Sequence, residues 1–296
     1  MSKLGIVTVL FNSESVLPEF FESLNNQTYK DFILYIVDNS SPDHSFAIAE
    51  KLSTKVGFKC IFLPQSKNLG VAAGNNIGIK AALNDGCDLI LLSNNDVVLN
   101  HDSTIQIMVD KMTHSNIDIL CPKILYYQEQ NIIWAAGGTY IKNDTGTFHF
   151  GRNEIDNGQY DEERDIRYTP TCFSMIKASV FSRIGLMDES YFVYYDDTDF
   201  MYRAWKNGLK ITYTPDTSIF HNESFCTGSD SPFKHFYLAR NHLIFVRKHR
   251  PLLTFMMIIA YRYSALFLKH MWKRDKKLWH SELNGLNEGL IKSLRK

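Results

Sequence analysis

Residues 89–99 read LILLSNNDVVL. Four apolar residues, Leu89, Ile90, Leu91 and Leu92, are entered from Asp88, and a run this short predicts a buried strand. It ends on Asn94, Asn95 and Asp96 before Val97 resumes the apolar pattern. Asn and Asp are common turn residues, which accounts for the ending in one way. The other reading is that Asp96 stands at a strand end to hold something charged.

The pattern on the N-terminal side of this stretch supports the second reading. LGIVTVLF (4–11), FILYIVDNS (32–40) and CIFLP (60–64) are strand-like, CDLILLS (87–93) is the fourth such run, and IDILCPKILY (117–126) is another. Helical spacing appears between them, through Val16, Phe20, Phe21 and Leu24, then Phe46–Leu52, Ala72–Leu83, and Ile105, Met108, Val109 and Met112. Strands alternating with helices predict an α/β fold, a mostly parallel central sheet with helices on both faces. Such sheets bind ligands beyond the carboxyl ends of their strands. Three strands end on polar residues: Phe11-Asn12-Ser13, Asp38-Asn39-Ser40 and Asn94-Asn95-Asp96. Three such ends at one edge point to a shared site.

On the C-terminal side the regularity stops. Residues 131–152 predict antiparallel strands, and DNGQYDEERD (156–165) a mobile acidic loop. PTCFSMIK (170–177) predicts a strand, 178–184 a short helix, 198–207 another helix and ITYTP (211–215) a strand; from Pro232 onward the pattern is helical. The expected organisation is one unit over 1–230, divided into 1–126 and 127–230. A C-terminal helical extension occupies 231–296.

The 296 residues are 45% hydrophobic and 22% charged, and 32 Lys and Arg balance 32 Asp and Glu. That balance supplies no basic field for nucleic acid. The N-terminus lacks the long apolar segment of a signal peptide, so a cytoplasmic protein is expected. Cys60, Cys87, Cys121, Cys172 and Cys226 form no C-x-x-C pair and read as free thiols. The turn after the first strand, FNSESVLP, has no glycine, which excludes a G-x-G-x-x-G dinucleotide site, and no P-loop occurs. The glycines of NLGVAAGNNIG (68–78) fall four apart at Gly70, Gly74 and Gly78 on one helix face. They serve either close packing of helix on sheet or close backbone approach to a ligand.

YFVYYDDTDFMYRAWKNG (191–208) is the second unusual stretch, with Asp196, Asp197 and Asp199 after an aromatic run. Acids in the first turn of a helix are favourable, with Asp197 or Thr198 as N-cap. Aromatic faces also suit sugar rings, and a carboxylate between them is placed to take a hydroxyl proton.

With these residues the chain resembles the family 2 glycosyltransferases of the GT-A fold, in their bacterial rhamnosyltransferase-like branch. The matching motifs are IVTVLFNSE, LYIVDNSS, NLGVAAGNNIGI, LLSNNDVVL, CFSMIKASVFSRIGLMDESYFVYYDDTDF and YLARN, in the family's order across residues 4–241. The resemblance implies an inverting transfer of a sugar from a UDP- or dTDP-activated donor to a glycan or lipid-linked acceptor, in surface polysaccharide synthesis. Asp38 would accept the N3–H of the pyrimidine, with Thr8, Phe11 and Asn12 lining the base pocket and Asn68 and Gly74 also on the donor side. Asn94-Asn95-Asp96 occupies the D-x-D position that binds Mg2+ or Mn2+ on the diphosphate. Asn94 replaces the first acid, leaving Asp96 as the main charged ligand. Asp197 matches the general base, next to Asp196. The resemblance further implies that 1–230 is the catalytic domain, with a nucleotide-sugar-binding part at 1–126 and an acceptor-binding part at 127–230, and it puts Trp134, Cys172, Tyr195 and Asp196 on the acceptor side. His221 is either a metal or diphosphate contact or a structural histidine. Arg240 either faces the diphosphate or anchors its helix through a salt bridge. A non-catalytic carbohydrate- or nucleotide-sugar-binding protein is the alternative that Asn94 suggests.

PLLTFMMIIAYRYSALFL (251–268) is interrupted by Arg262, and its Leu252–Tyr261 run is too short to span a bilayer. Lys269, Lys273, Arg274, Lys276 and Lys277 follow, with Trp272 and Trp279 among them. Residues 251–279 therefore suit a helix lying on an anionic membrane, or one packed on the catalytic unit or on another subunit of a homo-oligomer.

Overall fold

The structure, a computed structural model, describes residues 3–141, 145–222, 231–272 and 276–294. Four strands build its N-terminal half: β1 (Leu4–Leu10), β2 (Phe32–Asp38), β3 (Lys59–Phe62) and β4 (Leu89–Ser93). They run parallel in the order β3-β2-β1-β4. Helices α1 (Leu17–Asn25), α2 (Ser45–Ser53) and α3 (Val71–Asn84) connect them. β1, β2 and β4 are almost continuously buried, as expected of a sheet covered on both faces, whereas the edge strand β3 is only partly covered. One apolar core holds Leu17, Phe20 and Phe21 of α1 with Ile105 and Met108 of α4 (Thr104–His114). The other holds Ala72 and Ile79 of α3 with residues of the later helices. Gly74 and Gly78 of α3 face β1, where a Cβ at Gly74 would lie 2.8 Å from Val9 and one at Gly78 would collide with Val7. These two serve close packing of helix on sheet, whereas Gly70, the cap residue with φ 86°, lies against Phe192.

The sheet is mixed rather than uniformly parallel. β11 (Phe173–Lys177) inserts antiparallel between β4 and β6 (Ile119–Tyr126). β12 (Ile211–His221) lies parallel to β6. The antiparallel additions are β5 (Val97–Leu99) on β12, β7 (Ile133–Ala135) on β6 and β10 (Arg164–Ile166) on β12. β8 (Gly138–Tyr140) and β9 (Thr147–His149) form a separate pair. β12 runs six residues beyond the sequence expectation, through a bulge between Thr214 and Ser218. The acidic 156–165 segment is anchored, because Lys123 is bound by Asp156 at 2.8 Å and Asp161 at 2.6 Å and β10 closes its end.

After α5 (Ala178–Ile184) comes α6 (Asp196–Lys206), followed beyond β12 by α7 (Pro232–His249), α8 (Leu252–Trp272) and α9 (Lys276–Leu294). α7 joins the core through Leu243, Ile244 and Phe245. α9 packs closely on it where a Cβ at Gly289 would lie 2.6 Å from the Arg240 carbonyl. Cys87, Cys121 and Cys172 are buried free thiols and Cys60 is half-buried; Cys226 lies outside the described residues.

Candidate active site

The strand ends meet at one edge. β1 and β2 pair so that Leu10 faces Asp38, the last residue of β2. Asp38 is buried, and its Oδ1 accepts the Ser41 N–H at 3.2 Å. Thr8 is buried nearby on β1, and neither its hydroxyl nor that of Ser41 has a hydrogen-bond partner among the described residues. Phe11 is half-buried, and Asn12 is exposed with a left-handed φ of 53°. Asn39 ties this edge to the start of α3, donating to the Gly70 carbonyl at 3.0 Å and accepting from Leu69 N–H at 3.3 Å. Asn68 accepts the Gly70 N–H at 2.9 Å, so its carbonyl oxygen supports the turn into α3.

The three residues after β4 have separate tasks. Asn94 is exposed, and its N–H donates to the Cys172 carbonyl at 2.8 Å. Asn95 is buried and donates to the Val9 carbonyl at 2.7 Å, tying β4 back to β1. Asp96 is half-buried, with Oδ1 3.4 Å from His221 Nε2. That approach follows from register. β5 begins one residue after Asp96, and its Val97 pairs with His221 at the end of β12. Asp96 Oδ1 and His221 Nδ1 are both buried without a hydrogen-bond partner among the described residues. The Trp134 indole meets His221 edge to face, with ring centres 4.8 Å apart. The described residues contain no cluster of three metal-ligating side chains, so the protein offers this pair rather than a closed cage.

The second acidic cluster begins α6. Tyr194 and Tyr195 have φ values of 60° and 65°. This left-handed break starts the helix at Asp196, ahead of the expected Asp197 or Thr198 cap, and Tyr195 takes the cap position. Asp196 is buried and Asp197 partly accessible. Asp197 Oδ2 accepts the Tyr168 hydroxyl at 2.7 Å, and Oδ1 accepts the Thr198 N–H at 2.6 Å. Burial pushes the Asp197 carboxyl above its ordinary value, opposed by the Tyr168 and Thr198 hydrogen bonds. Burial, with Asp197 adjacent, pushes Asp196 up to about 8. Asp199, two residues on, is fully buried among Arg203 at 2.8 Å, Lys248 at 2.8 Å and His249 at 2.6 Å. Burial alone would raise its carboxyl, but the His249 hydrogen bond and the two cations hold it well below the usual range.

Cys172 joins the two acid clusters. Its thiol is pushed well above the ordinary range, first by burial and then by the charges of Asp96 and Asp197. A continuous line of rings makes the same connection. From His221 it passes to Trp134, to His149 at 4.8 Å and to Tyr168 at 5.4 Å, whose hydroxyl reaches Asp197. Tyr168 and His149 escape sequence reading because neither lies in a patterned motif. Both enter through the irregular chain between β7 and β11.

Arg240 is placed as an anchor. Nε donates to Glu288 at 2.9 Å, Nη1 to Asn241 at 2.7 Å and Nη2 to the Ser190 carbonyl at 2.9 Å. Asn241, unassigned by the sequence, donates from Nδ2 to the carbonyls of Val193 at 2.7 Å and Tyr194 at 2.9 Å.

The family described as Glycosyl transferase family 2 matches residues 5–185, more than half of the chain. Among curated relatives, the N-acetylglucosaminyl-diphospho-decaprenol L-rhamnosyltransferase of Mycobacterium tuberculosis is 32% identical over 80 residues, 27% of this chain and 25% of that protein. The dTDP-rhamnosyl transferase RfbF of Shigella flexneri is 32% identical over 89 residues, 27% of this chain and 30% of that protein. The matches therefore span about a quarter of the length of these relatives. S. aureus TarS 1-349, solved with UDP-GlcNAc, superposes with a TM-score of 0.62 at 16% identity, over 98% of this chain and 81% of that one. The mannosyltransferase PcManGT of Pyrobaculum calidifontis, solved with GDP-Man and Mn2+, superposes with a TM-score of 0.59 at 11% identity, over 99% and 87%. The fold is GT-A.

Proposed function

The chain belongs to glycosyl transferase family 2, and we propose that it transfers a sugar, with inversion, from a UDP- or dTDP-linked donor to a hydroxyl of a glycan or lipid-linked acceptor. The observation that carries this reading is the line of contacts from Asp96 through His221, Trp134, His149 and Tyr168 to Asp197. One acid lies on the donor side and one on the acceptor side. Asp38 accepts the N3–H of a uracil or thymine, a donor that guanine presents at a different place on its ring. Asp197 accepts the proton of the acceptor hydroxyl as its oxygen bonds to C1 of the donor sugar. The C1–O bond to the diphosphate breaks in the same step, and the nucleoside diphosphate leaves. One displacement inverts the anomeric centre. The rhamnosyltransferase names of the two relatives favour a deoxyhexose donor, and we place the reaction in surface polysaccharide synthesis.

The pair Asp96 and His221 fits a divalent cation of the Mg2+ or Mn2+ kind. Adjacent ligands on an octahedral ion with bonds near 2.1 Å lie about 3 Å apart, and these two atoms are 3.4 Å apart with no competing hydrogen bond on Asp96 Oδ1. When bound, the cation supplies positive charge to the diphosphate.

The test is a thermal-shift panel of UDP, dTDP, GDP and their sugars with and without Mn2+, followed by transfer assays on Asp197→Asn. The expected result is stabilisation by a pyrimidine nucleotide, strengthened by Mn2+. Asp197→Asn should keep that shift and lose about 10²–10⁴-fold in transfer. A variant transferring at the wild-type rate would remove Asp197 from the mechanism.

A further inference from the structure

α8 is an inverted amphipathic helix. Leu252, Leu253, Met256, Met257, Ala260, Tyr261, Ser264, Phe267 and Leu268 are exposed, and at 100° per residue they fall within one half of its circumference. Leu253 is 72% exposed and Tyr261 67%. The opposite half, with Phe255 and Leu266 buried, faces the protein. Arg262 is on that inner half, where it donates to Glu282 at 3.1 Å and to His242 Nδ1 at 3.0 Å. The charge is therefore turned inward and the large apolar side chains outward. The outward face carries no ionisable group except the Tyr261 phenol and is about 24 Å long from Leu252 to Leu268. An apolar face of this extent marks an interaction surface.

We infer that this face of α8 lies on the surface of an anionic lipid bilayer. Charge at the C-terminal end of the stripe selects this occupant. Lys269, Lys273, Arg274, Lys276 and Lys277 stand there against one acid, Asp275, the last two lysines are exposed, and the sequence has no acid from Pro251 to Arg274. A second copy laid parallel on the stripe would bring these cations against one another. Lipid phosphates answer them while acyl chains cover the apolar residues beside them. The chain as a whole has a formal net charge of zero, so this basic character is local. With no helix among the described residues long and apolar enough to cross a membrane, α8 would lie along the surface. The inference stands on α8 alone and needs no particular sugar donor.

The experiment is flotation of the full chain with vesicles of phosphatidylcholine, or of phosphatidylcholine containing about one quarter phosphatidylglycerol. The expected result is binding to the anionic vesicles, at least about ten-fold weaker binding to the neutral ones, and loss of binding in Leu253→Glu/Met257→Glu. The thermal midpoint of that variant should be unchanged, since both side chains are exposed. Lys276→Glu/Lys277→Glu should weaken anionic binding without unfolding. Failure of the wild-type chain to float with anionic vesicles overturns the inference. So does vesicle binding unaffected by the apolar variant, or a wild-type oligomer that the variant dissolves in the absence of vesicle binding, which would assign the face to a second copy.

Discussion

Tyr168 and Asp197 are joined by a 2.7 Å hydrogen bond from the phenol to Oδ2. This bond opposes the effect of burial on the carboxyl, because a donor stabilises its ionised form. Tyr168→Phe removes that opposition, so the Asp197 carboxyl titrates higher. As a base must be ionised to accept a proton, the acid limb of the pH–rate profile should move to higher pH. Initial rates measured across the acid range check this; a limb that stays in place separates Tyr168 from the base.

Asn241 holds the backbone that leads into Asp197, the proposed base. Its amide spans the carbonyls of Val193 and Tyr194, just where Tyr194 and Tyr195 adopt left-handed conformations. Such residues cost on the order of 1–3 kcal/mol each and persist only when their surroundings enforce them. Asn241→Ala should lower the transfer rate by about 10–100-fold through misplacement of Asp197, with nucleotide binding unchanged. Adding Tyr194→Gly, which accepts positive φ without strain, should recover part of the loss. Single-turnover rates beside nucleotide titrations distinguish this from general unfolding, which would weaken both.

Asp199 is a buried carboxylate serving three basic groups. Asp199→Asn leaves Arg203, Lys248 and His249 without that charge, with an expected loss of about 3–5 kcal/mol. Its carboxyl is depressed in the folded protein, so its contribution is present above the unfolded value of 3.8 and is lost as pH falls toward the folded one. The destabilisation of the variant should be full at neutral pH and shrink in strong acid. Denaturant melts at pH 7 and pH 3 test this.

Asp196 has the opposite sign. Its carboxyl is raised to about 8, so its folded form binds a proton more tightly than the unfolded chain does. The stability this gives is complete below the unfolded value of 3.8 and is lost as pH rises toward about 8. Asp196→Asn, which stays neutral, should therefore gain over the wild type as the buffer is made alkaline, raising the thermal midpoint more at pH 9 than at pH 5. Equal differences at the two values would mean that Asp196 is not held protonated.

Much of this edge is readable from short-range pattern. Alternation of apolar strands with helices is local, and it places Asn12, Asp38 and Asp96 at strand ends before any pairing is known. The acids after an aromatic run are visible in the same way. Pairing between distant segments is not. Nothing near residue 97 announces that β5 pairs with residues 219–221 and so brings His221 to Asp96, nor that β11 enters the sheet antiparallel beside β4. Tyr168 acquires its role only when the arm from β7 to β10 folds back over α6. Asn68 and Gly74 sit in a motif beside the donor edge, yet the contacts seen for them support a turn and close helix packing. Spacing alone does not separate a residue that touches a ligand from one that shapes the backbone around it.

The link from Glu288 through Arg240 and Asn241 to Tyr194 reaches far outside the segment by which the chain is recognised. The family match ends at residue 185, before Asp197 and well before α9. What is most recognisable in such a chain is thus its first half, while the backbone leading into Asp197, the proposed base, is tied to a helix almost at the opposite end of the sequence. Two relatives sharing the first 185 residues closely but diverging in that last helix would be free to differ in turnover while binding the same donor.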